Sequence, residues 1–194
     1  MKGLSYLMEI SFTSGIKPAT LQEFSKFIEK INSKNAVNYP WTIKESALAK
    51  DVYTRNICDC SACLITDGQK ALLMHLSPAL EVNHAFNQVL QFIRDSVDLK
   101  QPNLQAVLVG SKNNKKSLDI YNKFSELLNR LNIPFSEIKN GKTPTSIAYS
   151  STTDEVLITN STIDKMLKKG FTTQNTLDKS FEKYLITDCD EILA

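Results

Sequence analysis

Three of the four cysteines in this 194-residue chain lie within one short stretch, and a histidine follows them in the same stretch. The cysteines are Cys58, Cys60 and Cys63, and the histidine is His75. Thiol and imidazole groups serve as zinc ligands, as redox pairs, or as the nucleophile and base of a hydrolase. Segment 55–78 therefore raises four alternatives: a metal site, a redox pair, a catalytic pair or a buried structural strand.

The segment that carries these residues is predicted to form a β-hairpin. Two apolar runs flank Asp67-Gly68, a dipeptide typical of a tight hairpin turn. Folding the chain there pairs positions whose numbers sum to about 135, which places Cys60 opposite His75. A thiol and an imidazole on facing strands lie within reach of a proton transfer. The pattern predicts an activated cysteine at Cys60.

Strand geometry disfavours the metal and redox alternatives. Side chains alternate along a strand, so Cys60 and Cys63 are expected on opposite faces, and their spacing does not match known zinc ligand patterns. Reactive C-x-x-C pairs lie at helix N-termini, whereas these two lie on a predicted strand. We therefore predict no metal site and no redox pair. Cysteines are often small buried residues, so a purely structural role for Cys60 and His75 stays open.

Composition narrows the protein class. A hydrophobic share of 42% and a charged share of 23% are typical of a globular domain, and one domain is expected over residues 1–194. The net charge of +2 is too small for a nucleic-acid partner.

No apolar run approaches the roughly 20 residues of a membrane span, and no secretory signal is evident. Crowded cysteines favour reduced thiols and action in the cytosol.

The order of the other elements predicts an α+β class, with helices flanking a mixed or antiparallel, sandwich-like sheet core. A capping box of Thr20 and Glu23 opens the first helix. The further predicted helices cover residues 80–97 and 117–131, with two short ones in the tail from 161. The predicted strands cover residues 6–12, 104–109, 135–138, 146–149 and 156–158, besides the hairpin.

Segment 54–67 and the following Leu-Leu-Met-His-Leu-Ser-Pro of 72–78 resemble the active-site hairpin of the CheD family of chemoreceptor glutamine deamidases. The likeness continues through the apolar strand 105–110 and the turn 140–143, and covers roughly residues 50 to 160. Cytotoxic necrotizing factors and Burkholderia lethal factor have a similar Cys-His arrangement. The interval from Cys60 to His75 is closer to theirs than to that of CheD.

The resemblance implies hydrolysis of a glutamine side-chain amide in a protein partner, without metal or cofactor. Cys60 is implied as the nucleophile, His75 as the general base and acid, and Thr54 as the residue that orients the imidazole. Backbone N–H groups near Cys60 are implied to stabilise the oxyanion.

Two departures from these families bear on activity and partner. Asp59 stands where they have glycine before the nucleophile, and its charge would raise the pKa of a nearby thiol. The glycine-rich stretch before the closing strands is reduced to Gly141. Extra segments on both sides of the matched core favour a bacterial effector or toxin that is secreted and acts on a host protein. The alternatives are a housekeeping chemoreceptor deamidase and a non-catalytic binding module on the same fold.

Overall fold

The computed structural model of the chain describes residues 15–37, 46–78, 82–110, 114–140 and 143–171. Its strands are β1 Gly15–Pro18, β2 Ala36–Val37, β3 Ala47–Ala49, β4 Asp51–Ile57, β5 Ser61–Thr66, β6 Ala71–Leu76, β7 Gln105–Gly110, β8 Phe135–Lys139, β9 Thr145–Ser150 and β10 Glu155–Thr159. Its helices are α1 Leu21–Ile28, α2 Val82–Ser96, α3 Lys115–Arg130 and α4 Ser161–Lys168.

The strands form two five-stranded sheets. The first sheet has the order β1-β10-β9-β4-β2, and the second has the order β3-β6-β5-β7-β8. Both are mixed: β1 runs parallel to β10, β2 to β4 and β7 to β8, while the other pairs are antiparallel. The predicted α+β class with a mixed sheet core is confirmed.

The two sheets face each other across one apolar core. This inter-sheet core includes Val52, Ile57, Cys60, Leu64, Leu73, Val107, Val109, Ile138, Ile147, Tyr149, Val156 and Ile158. Helices α2 and α3 cover the outer face of the second sheet, where the rings of Phe86 and Phe124 meet edge to face with centroids 5.1 Å apart. Helix α1 covers the first sheet through Phe24 and Ile28. Packing both faces of each sheet is what lets so many strand residues be apolar.

Local signals predicted most helix boundaries well. The Thr20 hydroxyl accepts from the backbone N–H of Glu23 at 3.1 Å, and the Glu23 carboxylate accepts from the Thr20 N–H at 2.8 Å, so the capping box is present. The predicted strand 6–12 and the second tail helix, around residues 177–185, lie outside the described residues. Among the helices that the structure describes, none is long and apolar enough to span a membrane.

The hairpin of β5 and β6 is present, but its predicted register is wrong. The chain reverses over four residues instead of two, because the Asp67 carboxylate accepts from the backbone N–H groups of Gln69 at 2.9 Å and Lys70 at 3.0 Å. As a result Ala62, and not Cys60, lies opposite His75.

Segment 55–57 was predicted as part of the hairpin, but it belongs to the first sheet. It ends β4, which pairs with β9 and shows a register shift between Thr54 and Ile57. Asn56 lies within this shift with φ at 56°, a conformation that asparagine tolerates better than most residues. The irregularity ends β4, and residues 58–60 then carry the chain across to the second sheet.

Candidate functional site

Cys60 and His75 share the face of the second sheet that points into the inter-sheet core. On β6, Ala71 and Leu73 contribute to that core, and alternation gives His75 the same direction. Because Ala62 is the residue opposite His75, Cys60 occupies the diagonal position two residues away. Diagonal neighbours in an antiparallel pair lie about 7–8 Å apart at the backbone, within reach of longer side chains. The shared face that a thiol–imidazole pair requires is therefore present.

Thr54 joins His75 across the two sheets. Its Oγ1 lies 2.7 Å from Nδ1 of His75 and 2.6 Å from the carbonyl oxygen of Val37. The hydroxyl has one proton, and the carbonyl of Val37 can only accept, so the hydroxyl donates to Val37 and accepts from Nδ1–H. This assignment makes Nε2 the basic nitrogen of the neutral ring. Thr54 thus fixes both the orientation and the tautomer of His75.

Burial keeps the thiol and the imidazole in their neutral forms. Removal from water raises the pKa of Cys60 to about 12, and the negative charge of Asp59 adds to the rise. Removal from water also lowers the pKa of His75 to about 4. The two side chains are only 3% and 1% exposed. The resting site at neutral pH therefore holds a thiol and a neutral imidazole, not a thiolate–imidazolium pair.

Asp59, which stands where the families named above have a glycine, faces the start of α3. Its carboxylate accepts from the side-chain amide of Asn114 at 3.3 Å, and its carbonyl accepts from the hydroxyl of Ser117 at 2.7 Å. Asn114 is also the N-cap of this helix. The positive end of the helix dipole and these hydrogen bonds hold the acidic side chain in place. Its charge adds to the rise in the pKa of Cys60 that burial causes.

Gly110 at the end of β7 permits a close approach to Cys60. A Cβ at this position would lie 2.5 Å from Oγ of Ser61 and 3.1 Å from the carbonyl oxygen of Cys60. Only glycine avoids this collision, so the absence of a side chain there lets β7 support the peptide bond that follows Cys60. Sequence reasoning assigned Gly110 no role beyond its place in the resemblance.

Cys60 and Cys63 lie on opposite faces of the second sheet, as the alternation predicted. Cys60 belongs to the inter-sheet core, whereas Cys63 packs under the helices. Cys58 is partly exposed, and none of the three is in a disulfide. Within the described part of the chain, no group of three or more Cys, His, Asp or Glu side chains is arranged to hold a metal ion.

Asn140 is a buried residue that holds the segment before Cys60, a role that sequence reasoning missed. It follows β8, is 1% exposed, and donates from its side-chain amide to the carbonyl oxygen of Ile57, near the end of the segment that leads to Cys60. Its backbone N–H donates to Gly110 at 3.1 Å. The resemblance included the turn 140–143, and an asparagine before a glycine is typical of a turn, so the sequence indicated neither the burial of Asn140 nor its contact with Ile57.

Removing the Thr54 hydroxyl is expected to destabilise the fold. Thr54→Val leaves the Nδ1–H of His75 and the carbonyl of Val37 buried without their partner, which costs about 1–3 kcal/mol of unfolding free energy. Thr54→Ser retains both hydrogen bonds and is the matched control, with a loss of less than about 1 kcal/mol. Urea unfolding of the three proteins measures the difference. Equal stability of the valine and serine variants would contradict the two hydrogen bonds that we assign to the Thr54 hydroxyl.

A scan of the sequence against protein-family models finds no match, and a search of curated proteins finds no similar sequence. The resemblance to CheD and the necrotizing factors accordingly rests on the motif residues alone.

Proposed function

We propose that this protein is a glutamine deamidase that converts a glutamine side chain of a protein partner to glutamate. The observation that carries the proposal is the hydrogen bond of Thr54 to His75, on the sheet face that His75 shares with Cys60. A nucleophile, a base, and a third group that orients the base are the parts that thiol-dependent acyl transfer requires. The nucleophile is Cys60, the base is His75, and the group that orients the base is Thr54.

The neutral resting site makes His75 a general base during the attack. As Sγ of Cys60 bonds to the carboxamide carbon, Nε2 of His75 accepts the thiol proton. The carbon–nitrogen bond then breaks, and the same proton passes from Nε2 to the departing ammonia, leaving a thioester. Water then attacks the thioester while Nε2 of His75 takes one of its protons. The carbon–sulfur bond breaks, Nε2 returns that proton to Sγ of Cys60, and the glutamic acid side chain that has formed loses its proton to solvent and leaves as the carboxylate.

Burial of the thiol restricts which substrates fit. Cys60 is 3% exposed, so the reacting carboxamide has to extend inward while the rest of the partner stays outside. A glutamine on the surface of a protein can do this, because its amide stands at the end of a flexible, narrow side chain. We further propose an effector or toxin that acts on a host protein in the cytosol, where the three thiols of this region remain reduced.

A second candidate is a binding module that keeps the fold without catalysis. The raised pKa of Cys60 favours it, because activated cysteines have lowered pKa values, and the Asp59 charge acts in the unfavourable direction. The deamidase would convert a glutamine of the partner to glutamate, whereas the binding module would leave the partner unchanged, and this difference can be measured.

Incubation of cell lysates with the purified protein tests the proposal. Peptide mapping is expected to find one or a few glutamines converted to glutamate by the parent and not by Cys60→Ala. Bacterial lysate containing chemoreceptors and mammalian lysate are tested separately, which distinguishes a chemoreceptor deamidase from an effector. Identical maps for the parent and Cys60→Ala in both lysates would exclude the deamidase and leave the binding module.

A further inference from the structure

We infer that Asn140 selects the amide form of the substrate by accepting a hydrogen bond from the NH₂ group of the glutamine side chain. The inference rests on the proposed function, and it assigns to Asn140 the discrimination between glutamine substrate and glutamate product.

The placement of Asn140 is set by β8 and by the first sheet. Ile138 pairs with Val109, and both side chains are in the inter-sheet core. Asn140 is two residues further on and therefore takes the same direction. Its amide reaches the carbonyl oxygen of Ile57 on the opposite sheet.

The backbone N–H of Asn140 also donates to the carbonyl of Gly110 at 3.1 Å. Gly110 in turn approaches Cys60 so closely that a Cβ there would lie 3.1 Å from the Cys60 carbonyl oxygen. Asn140 and the nucleophile are therefore held against the same glycine.

One end of this amide is satisfied and the other is not. The Nδ2 atom donates to Ile57, whereas Oδ1 is buried and has no hydrogen-bond partner among the described residues. The bond to Ile57 fixes the orientation of the amide, since a carbonyl oxygen accepts only from the NH₂ end. A buried acceptor without a donor is costly to keep, so a ligand that supplies an N–H to this oxygen would be bound favourably.

The chemistry of the substrate supplies that partner. A primary carboxamide presents two N–H donors, whereas the glutamate product at neutral pH presents only acceptors. A buried oxygen acceptor therefore attracts the substrate and repels the product. A site that hydrogen-bonds a substrate N–H discriminates strongly against an analogue that lacks it. Asn140 would thus favour both substrate binding and product release.

The test uses a synthetic peptide around the glutamine that the parent converts, and its twin with glutamate. The ratio of the product inhibition constant to KM is expected to fall roughly tenfold in Asn140→Ala, because the variant loses one hydrogen bond to the substrate. Asn140→Asp retains an oxygen acceptor but loses the donor to Ile57. It is expected to be less stable than the parent and to have a ratio at least as high as the parent's, because its carboxylate still accepts from the substrate N–H and repels the carboxylate of the product. A purely structural role predicts that stability changes in both variants while the ratio stays at the parent value, so the fall of the ratio in Asn140→Ala decides between the two roles.

Asn160→Ala is the matched control. Asn160 is also a buried asparagine, but both ends of its amide are engaged, with Thr145 and with the backbone of Ile163. Its loss should lower stability and leave the ratio unchanged. If the parent converts a glutamine and Asn140→Ala keeps the parent ratio, the inference about Asn140 is wrong and the deamidase stands. If the parent converts no glutamine at all, the proposed function fails and the inference fails with it.

Discussion

Replacing Cys60 with alanine or serine is expected to abolish conversion of glutamine to glutamate, because no other group in the site can form the thioester. Binding to the same partner should change little, since the substituted group is small. Thermal stability should change little in Cys60→Ala, whereas Cys60→Ser places a hydroxyl in the buried inter-sheet core and is expected to cost about 1–3 kcal/mol. His75→Ala should reduce the rate by roughly 10²–10⁴-fold, the contribution typical of a positioned general base. Ammonia release and partner affinity, assayed side by side, measure both effects.

The neighbouring cysteines provide matched controls for this loss. Cys58→Ser should keep activity, because Cys58 is partly exposed and outside the inter-sheet core. Cys63→Ser should also keep activity, but it places a hydroxyl in the fully buried cluster under the helices and costs about 1–3 kcal/mol of stability. If Cys60→Ala matches the parent in every assay, the fold serves binding and the deamidase proposal is wrong.

The stability of the protein is expected to fall steeply between about pH 6.5 and pH 4 because of His75. The folded protein holds the pKa of this imidazole at about 4, against 6.5 for an ordinary histidine. Below pH 6.5 the imidazole of His75 therefore binds a proton in the unfolded chain but stays neutral in the folded protein, because a proton on Nε2 would create a buried charge. The loss amounts to about 3 kcal/mol by pH 4, and above pH 6.5 both states are neutral and it disappears.

Urea unfolding of the parent and of His75→Gln across this pH range isolates the effect. The carboxyl groups titrate in both proteins and cancel in the difference. As the pH falls from 7 to 4, the unfolding free energy of the parent should therefore fall by about 3 kcal/mol more than that of His75→Gln. His84→Gln replaces the chain's only other histidine and should retain the slope of the parent. Parallel profiles for the parent and His75→Gln would show that His75 is not held neutral by burial.

Several features of the fold could be predicted from the sequence because short-range interactions determine them. The capping box of Thr20 and Glu23 involves residues three positions apart and needs no tertiary contact. Helical periodicity indicated α2 and α3, and strand alternation placed Cys60 and Cys63 on opposite faces. The same alternation gave Cys60 and His75 a common face, even though the predicted register was two residues out. A shift of two preserves the face, because side chains repeat their direction every second residue.

What the sequence by itself determined, then, is the set of elements and the faces of their side chains. Tertiary structure decided which groups meet. The Asp67 carboxylate set the turn length and with it the register, through hydrogen bonds that a dipeptide rule does not contain. Thr54 and His75 belong to different sheets, and Asn140 reaches Ile57 only because the sheets pack face to face. Such contacts depend on how two apolar faces pack in three dimensions, and the spacing of residues along the chain does not predict that packing.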